Sequence, residues 1–156
     1  MGFGPSFHGA LCDLLEQVHL LSDLPRREIE TLAPYVGAYT VKPETVIFSE
    51  GGKDNFLCFL AEGQVEVVKR QRADEDRKLA LIRAGKTIGE MAFLDKQPHS
   101  ATVTARGEAL VLLLTENAFE RLSDENPRLA LKILWRISQL LSHRLRQTTG
   151  QLVDYL

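Results

Sequence analysis

Between Thr45 and Leu114 the chain is a succession of short strand-forming runs closed by glycine-bearing turns, and sustained helical periodicity lies only outside them. Thr45–Phe48, Phe56–Leu60, Val65–Val68, Leu79–Ile82, Ala101–Ala105 and Ala109–Leu114 are the strand candidates, with Gly51-Gly52, Gly63, Gly85 and Gly107 between them. Strands that follow one another without intervening helices do not build a doubly wound α/β sheet. The expected fold is therefore α+β: an antiparallel β-barrel or jelly roll (a double-stranded β-helix), flanked by N-terminal helices and a long C-terminal helix.

The flanks carry the helical signal. Leu11, Leu14, Leu15 and Val18 recur at helical spacing, and Pro25 suits the first turn of a second helix bearing Ile29, Leu32 and Ala33. Thr115 is placed to cap a helix through Leu122. Asn126-Pro127 pairs an N-cap with a first-turn proline. Leu129, Ile133, Leu134, Ile137, Leu140, Leu141 and Leu145 then form a broad apolar face, with Arg136, His143, Arg144 and Arg146 around the remainder. A helix of that length needs something to lie against, either the β region or a second copy. The expected domains are a flexible arm over 1–9, a β-roll with its N-terminal helices over 10–125, and a C-terminal helix over 126–156 acting as lid or dimerisation element. The mixed charges from Lys69 to Lys78 read as a solvated hairpin connection.

One stretch departs from the strand-and-turn rhythm. Thr87 to Val103 reads T-I-G-E-M-A-F-L-D-K-Q-P-H-S-A-T-V, a β-like entry, a Gly-Glu step, an apolar turn of helix and a polar loop. Gly89 permits close approach of a ligand to backbone, and the amides near Met91 and Ala92 have no earlier helical carbonyl to bond. Glu90 supplies an acceptor for a hydroxyl. An anion site beside a hydroxyl acceptor describes a phosphorylated sugar. In each case there is a plainer alternative: a turn glycine, a helix-start carboxylate, a loop histidine at His99, a strand-start hydroxyl at Ser100.

The stretch resembles the phosphate-binding cassette of cyclic nucleotide-binding domains, which carry Phe/Ile-Gly-Glu-x-Ala-x-Leu and then Pro-Arg-Ser/Ala-Ala-Thr-Val at this spacing. The E-x-G pattern at Glu50 and the G-x-V-x-V pattern at Gly63 to Val67 resemble the first half of the same domain. The resemblance covers about residues 11 to 147, and implies the sensor half of bacterial catabolite-regulator-type proteins without the helix-turn-helix domain. It implies a ligand site of Gly89, Glu90, Met91, Ala92, His99, Ser100 and Ala101, with Glu90 accepting from a ribose 2′-hydroxyl and cyclic AMP or cyclic GMP as the ligand. Thr102 is a further hydroxyl able to face the pocket.

His99 stands where the family places the arginine that grips the cyclic phosphate. Arginine presents a permanently charged planar fork, whereas histidine offers one bond from a given nitrogen and ordinarily titrates near pH 6.5. Two outcomes remain open: weak, pH-dependent nucleotide binding, or a pocket converted to another ligand or emptied. Binding of a cyclic nucleotide or a related phosphorylated ligand makes the chain a regulatory sensor that relays binding through the C-terminal helix. Without nucleotide binding it is a degenerate relative serving protein interaction or assembly, and a further reading places it as one domain of a larger transporter, channel or kinase.

The remaining expectations are exclusions. A net charge of −2 gives no basic footprint for direct DNA binding. No apolar run exceeds about six residues, against the roughly 20 needed to cross a bilayer. Cys12 and Cys58 lack metal-ligand spacing and read as buried free thiols, which suits a cytoplasmic location. The four histidines are dispersed, and neither a G-x-S-x-G elbow nor a P-loop is present, so neither an enzyme nor a metal cofactor is expected. The expected partners are a cyclic nucleotide and, through the C-terminal helix, a second copy or another protein.

Overall fold

The computed structural model describes residues 5–70 and 76–154. Helix α1 (Pro5–Glu16) leads through a 3-10 turn (His19–Leu21) to α2 (Arg26–Leu32) and a second 3-10 turn (Ala33–Tyr35). Eight strands follow: β1 (Gly37–Val41), β2 (Val46–Phe48), β3 (Phe56–Glu62), β4 (Gln64–Arg70), β5 (Asp76–Arg83), β6 (Thr87–Ile88), β7 (Thr102–Ala105) and β8 (Ala109–Thr115). Helix α3 (Glu90–Asp95) interrupts them, and α4 (Glu116–Glu125) and α5 (Pro127–Asp154) close the chain. Residues 1–4 of the expected arm and 71–75 of the expected charged connection lie outside the described residues. Helix α1 begins within the stretch expected as an arm.

The strands form two separate antiparallel sheets, ordered β1-β8-β3-β6 and β2-β7-β4-β5. This corrects the expected closed barrel. Closure requires the hydrogen-bond ladder to continue around the ring with a fixed stagger, and here it breaks wherever the chain changes sheet. Between β1 and β2 it turns through Glu44, at a φ of 66°. Between β5 and β6 it turns through Gly85, at a φ of 97°, whose N–H donates to the Leu60 carbonyl at 2.7 Å. Strand β6 is only two residues long and pairs with β3 alone. The edges therefore stay open.

Period-two alternation builds two cores from one sheet. On the first sheet, Leu57, Phe59, Leu112 and Leu114 face the helices and pack with Leu15, Ile29, Leu122 and Ile133. The opposite face, with Cys58, Leu60 and Val111, packs against Phe48, Val65 and Val103 of the second sheet. Phe59 lies opposite Leu112 across the β3–β8 ladder and is fully buried. Truncating it to alanine should cost roughly 3–5 kcal/mol. The order is helices, sheet, sheet.

The helix caps follow the sequence. The Ala118 N–H donates to Thr115 Oγ1 at 3.1 Å, and the Leu129 N–H donates to Asn126 Oδ1 at 3.2 Å. Ile133 and Ile137 of α5 are buried, whereas Leu131, Trp135 and Leu145 are 63%, 65% and 67% exposed. The long helix thus spends one stripe on the core and leaves another outside.

Candidate functional site

Gly89 positions the site. It adopts a left-handed conformation, φ 85° and ψ 11°, ahead of α3. A Cβ there would lie 2.7 Å from Cζ of Phe48 and 3.1 Å from the Phe56 carbonyl. Both the turn and the packing therefore require glycine. The Phe93 N–H returns to the Gly89 carbonyl at 3.0 Å, leaving the amides of Glu90, Met91 and Ala92 ahead of any helical acceptor.

All seven residues expected at the site line one cavity of about 450 Å³: Gly89, Glu90, Met91 and Ala92 from the helix start, and His99, Ser100 and Ala101 from the loop. Phe48, Val67, Ile82 and Val103 add apolar wall. Met91 and Ser100 are exposed at the rim, and Ala101 is half-buried. Thr102 does not join them. Its Oγ1 accepts from the Glu50 N–H at 3.0 Å, and it lines a different cavity with Ser49 and Arg70.

Glu90 is only 3% exposed. Its Oε1 forms an ion pair with Nη1 of Arg144 from α5, while its Oε2 is buried with no hydrogen-bond partner. Arg144 Nη2 also approaches the Thr87 carbonyl at 3.4 Å. Removal from water disfavours the charged guanidinium and lowers its pKa from the ordinary arginine value. A buried carboxylate oxygen without a donor is costly, so the arrangement is satisfied on one side only.

His99 is 9% exposed and held on every side. Its N–H donates to the Gly52 carbonyl at 2.9 Å, and its carbonyl accepts from the Gly51 N–H at 2.8 Å. Its Nε2 lies 2.7 Å from the Asp54 carbonyl, and its ring sits 4.3 Å from that of Phe48. Phe48 in turn stacks on Phe56 at 4.6 Å. A carbonyl only accepts, so Nε2 donates its proton to Asp54 and that nitrogen has none left for a phosphate.

Arg144 was not legible as a site residue. Its sequence context places it among the surface cations of a long helix, and only the tertiary path of α5 brings it to Glu90. Phe48 and the Asp54 carbonyl, which fix His99, carry no sequence signal for that role. Among the described residues, no group of histidines, cysteines and carboxylates could hold a metal. No described helix is long and apolar enough to cross a membrane.

This constellation, a left-handed Gly-Glu step opening a short helix beside a loop returning to the second sheet, agrees with a family pattern described as the cyclic nucleotide-binding domain, matched over residues 39–126. The chain belongs to that family. Members are non-catalytic regulatory domains. The cAMP-dependent protein kinase regulatory subunit of Yarrowia lipolytica is 33% identical over 108 residues, 69% of this chain and 28% of that protein. The chain thus spans little more than a quarter of that relative. The crystal structure of a cyclic nucleotide-binding domain from Methylobacillus flagellatus superposes with a TM-score of 0.81 at 25% identity, covering 97% of this chain and 85% of the other. The Thermus thermophilus catabolite activator protein gives 0.78 at 25% identity, covering 87% and 62%. The chain is a regulatory module of the cyclic nucleotide-binding fold.

Proposed function

We propose that this domain senses a cyclic nucleotide, bound weakly, or a related phosphorylated ligand in the cassette 87–103, and relays binding through α5. The observation that carries the reading is the unpartnered Glu90 Oε2, buried on a cavity of nucleotide size. A ribose hydroxyl would supply the missing donor, and the amides ahead of α3 would face the phosphate. The relay follows from Arg144: a hydroxyl on Glu90 competes with the guanidinium, and the residue that loses the carboxylate sits on α5. A ligand that prefers the released arrangement shifts the helix by that preference and no more.

The test is titration with cyclic AMP and cyclic GMP at pH 6 and pH 8. Saturable but weak binding is expected, because the Nε2 proton of His99 is already spent on the Asp54 carbonyl, while Glu90, Asp95 and Arg144 are the other charged groups of the cavity. Absence of binding at millimolar ligand at both pH values would reject the reading.

A specific observation favours a second reading, a protein-interaction or assembly module without nucleotide binding. Leu131, Leu145 and Leu152 are exposed on α5 at multiples of the 3.5-residue repeat, with Trp135 beside them. A second copy paired along this stripe would bury it. Sedimentation should show a dimer that Trp135→Asp with Leu145→Asp converts to monomer; a wild-type monomer at all concentrations would remove the dimer from either reading.

A further inference from the structure

A second cavity, of about 430 Å³, adjoins the cassette, and Thr87 and Arg144 line both. One wall is the 3-10 turn carrying His19 and the Gly85-Lys86 turn. The other is a stripe of α5 that includes Arg136, Gln139, His143 and Arg144. These α5 positions recur at helical spacing, so one face of the helix presents donors along the whole cleft. Gly85 makes the approach possible, because a Cβ there would lie 2.7 Å from Nε2 of His19.

No lining residue is acidic. The carboxylates that neutralise the cleft stand outside its lining: Asp23 pairs with Arg136, and Glu90 pairs with Arg144. Lys86 is exposed and forms no ion pair with another described residue, leaving its positive charge uncompensated within the cleft. Concave, donor-rich, acid-free lining of this volume selects a small anion, and guanidinium forks match phosphate oxygens in particular.

We propose that this cleft binds a small phosphate-bearing metabolite, and that the ligand draws Arg144 away from Glu90. Arg144 cannot serve the carboxylate and the anion equally, so the two compete for it. Occupation of the cleft leaves Glu90 without its cation, which links the cleft to the cassette.

Calorimetric titration with inorganic pyrophosphate tests this, with sulfate at matched ionic strength as the comparison. The expected result is saturable binding that Lys86→Ala weakens roughly tenfold or more, the scale of one charge-assisted contact. Glu90→Gln should tighten it, because Arg144 no longer has a charged competitor. Equal affinity in wild type and Lys86→Ala, an equal response to sulfate, or no gain in Glu90→Gln would each overturn the proposal. The probe carries no sugar, so failure of nucleotide binding in the cassette and failure of this cleft are separate results.

Discussion

Arg144 of the last helix and Glu90 of the cassette form an ion pair that ties α5 to the one buried acid of the cavity. Breaking a buried pair from one side usually costs several kcal/mol, because the partner charge is stranded. Arg144 keeps part of its side chain in water, so Arg144→Gln should cost less, about 1–3 kcal/mol. Glu90→Gln in the same background should recover much of that loss in chemical denaturation. The same Arg144→Gln change should tighten cyclic nucleotide binding, since Glu90 is then free to accept a hydroxyl.

His99→Arg tests the phosphate side of the cavity. The histidine spends its Nε2 proton on Asp54, whereas an arginine retains several donors and a permanent charge. Nucleotide affinity should rise roughly tenfold or more, the scale of one charge-assisted hydrogen bond. Unchanged affinity in a folded variant would show that position 99 does not meet the phosphate.

Gly89→Ala combines a left-handed backbone with contact against Phe48. It should lower stability by about 1–3 kcal/mol. Because Phe48 supports the His99 ring, nucleotide affinity should fall with it. Thermal unfolding and ligand titration of the same sample check both.

The buried Cys58 thiol is pushed up from an ordinary 9.0 to about 12 by loss of solvation. As pH rises past 9 the unfolded chain releases this proton while the native chain keeps it. The unfolded state then binds fewer protons, so stability falls with rising pH across that window. Cys58→Ala should unfold with a shallower dependence between pH 9 and 11. Below pH 8 the two thiols, both buried, should resist alkylation until the protein unfolds.

Local chemistry made much of this legible from sequence. The Gly-Glu step, the Thr115 and Asn126 caps and six of the eight strands follow from φ preference, capping oxygens and period-two runs. Strand β1 was missed because Gly37, Ala38 and the exposed Tyr39 and Thr40 give no alternation, and its pairing with β8 is what fixes it. The barrel expectation failed because strand pattern says which residues are extended, not which edges bond. At the site, the seven cassette residues came together because they are near in sequence. Arg144 lies far along the chain, and its placement depends on how α5 packs over the first sheet.

The most direct measurement is a crystal structure of the protein grown with millimolar cyclic AMP. The account expects the nucleotide in the cassette cavity, its ribose hydroxyl donating to Glu90 and Arg144 turned away from that carboxylate. An empty cavity with Glu90 still paired to Arg144 would contradict it.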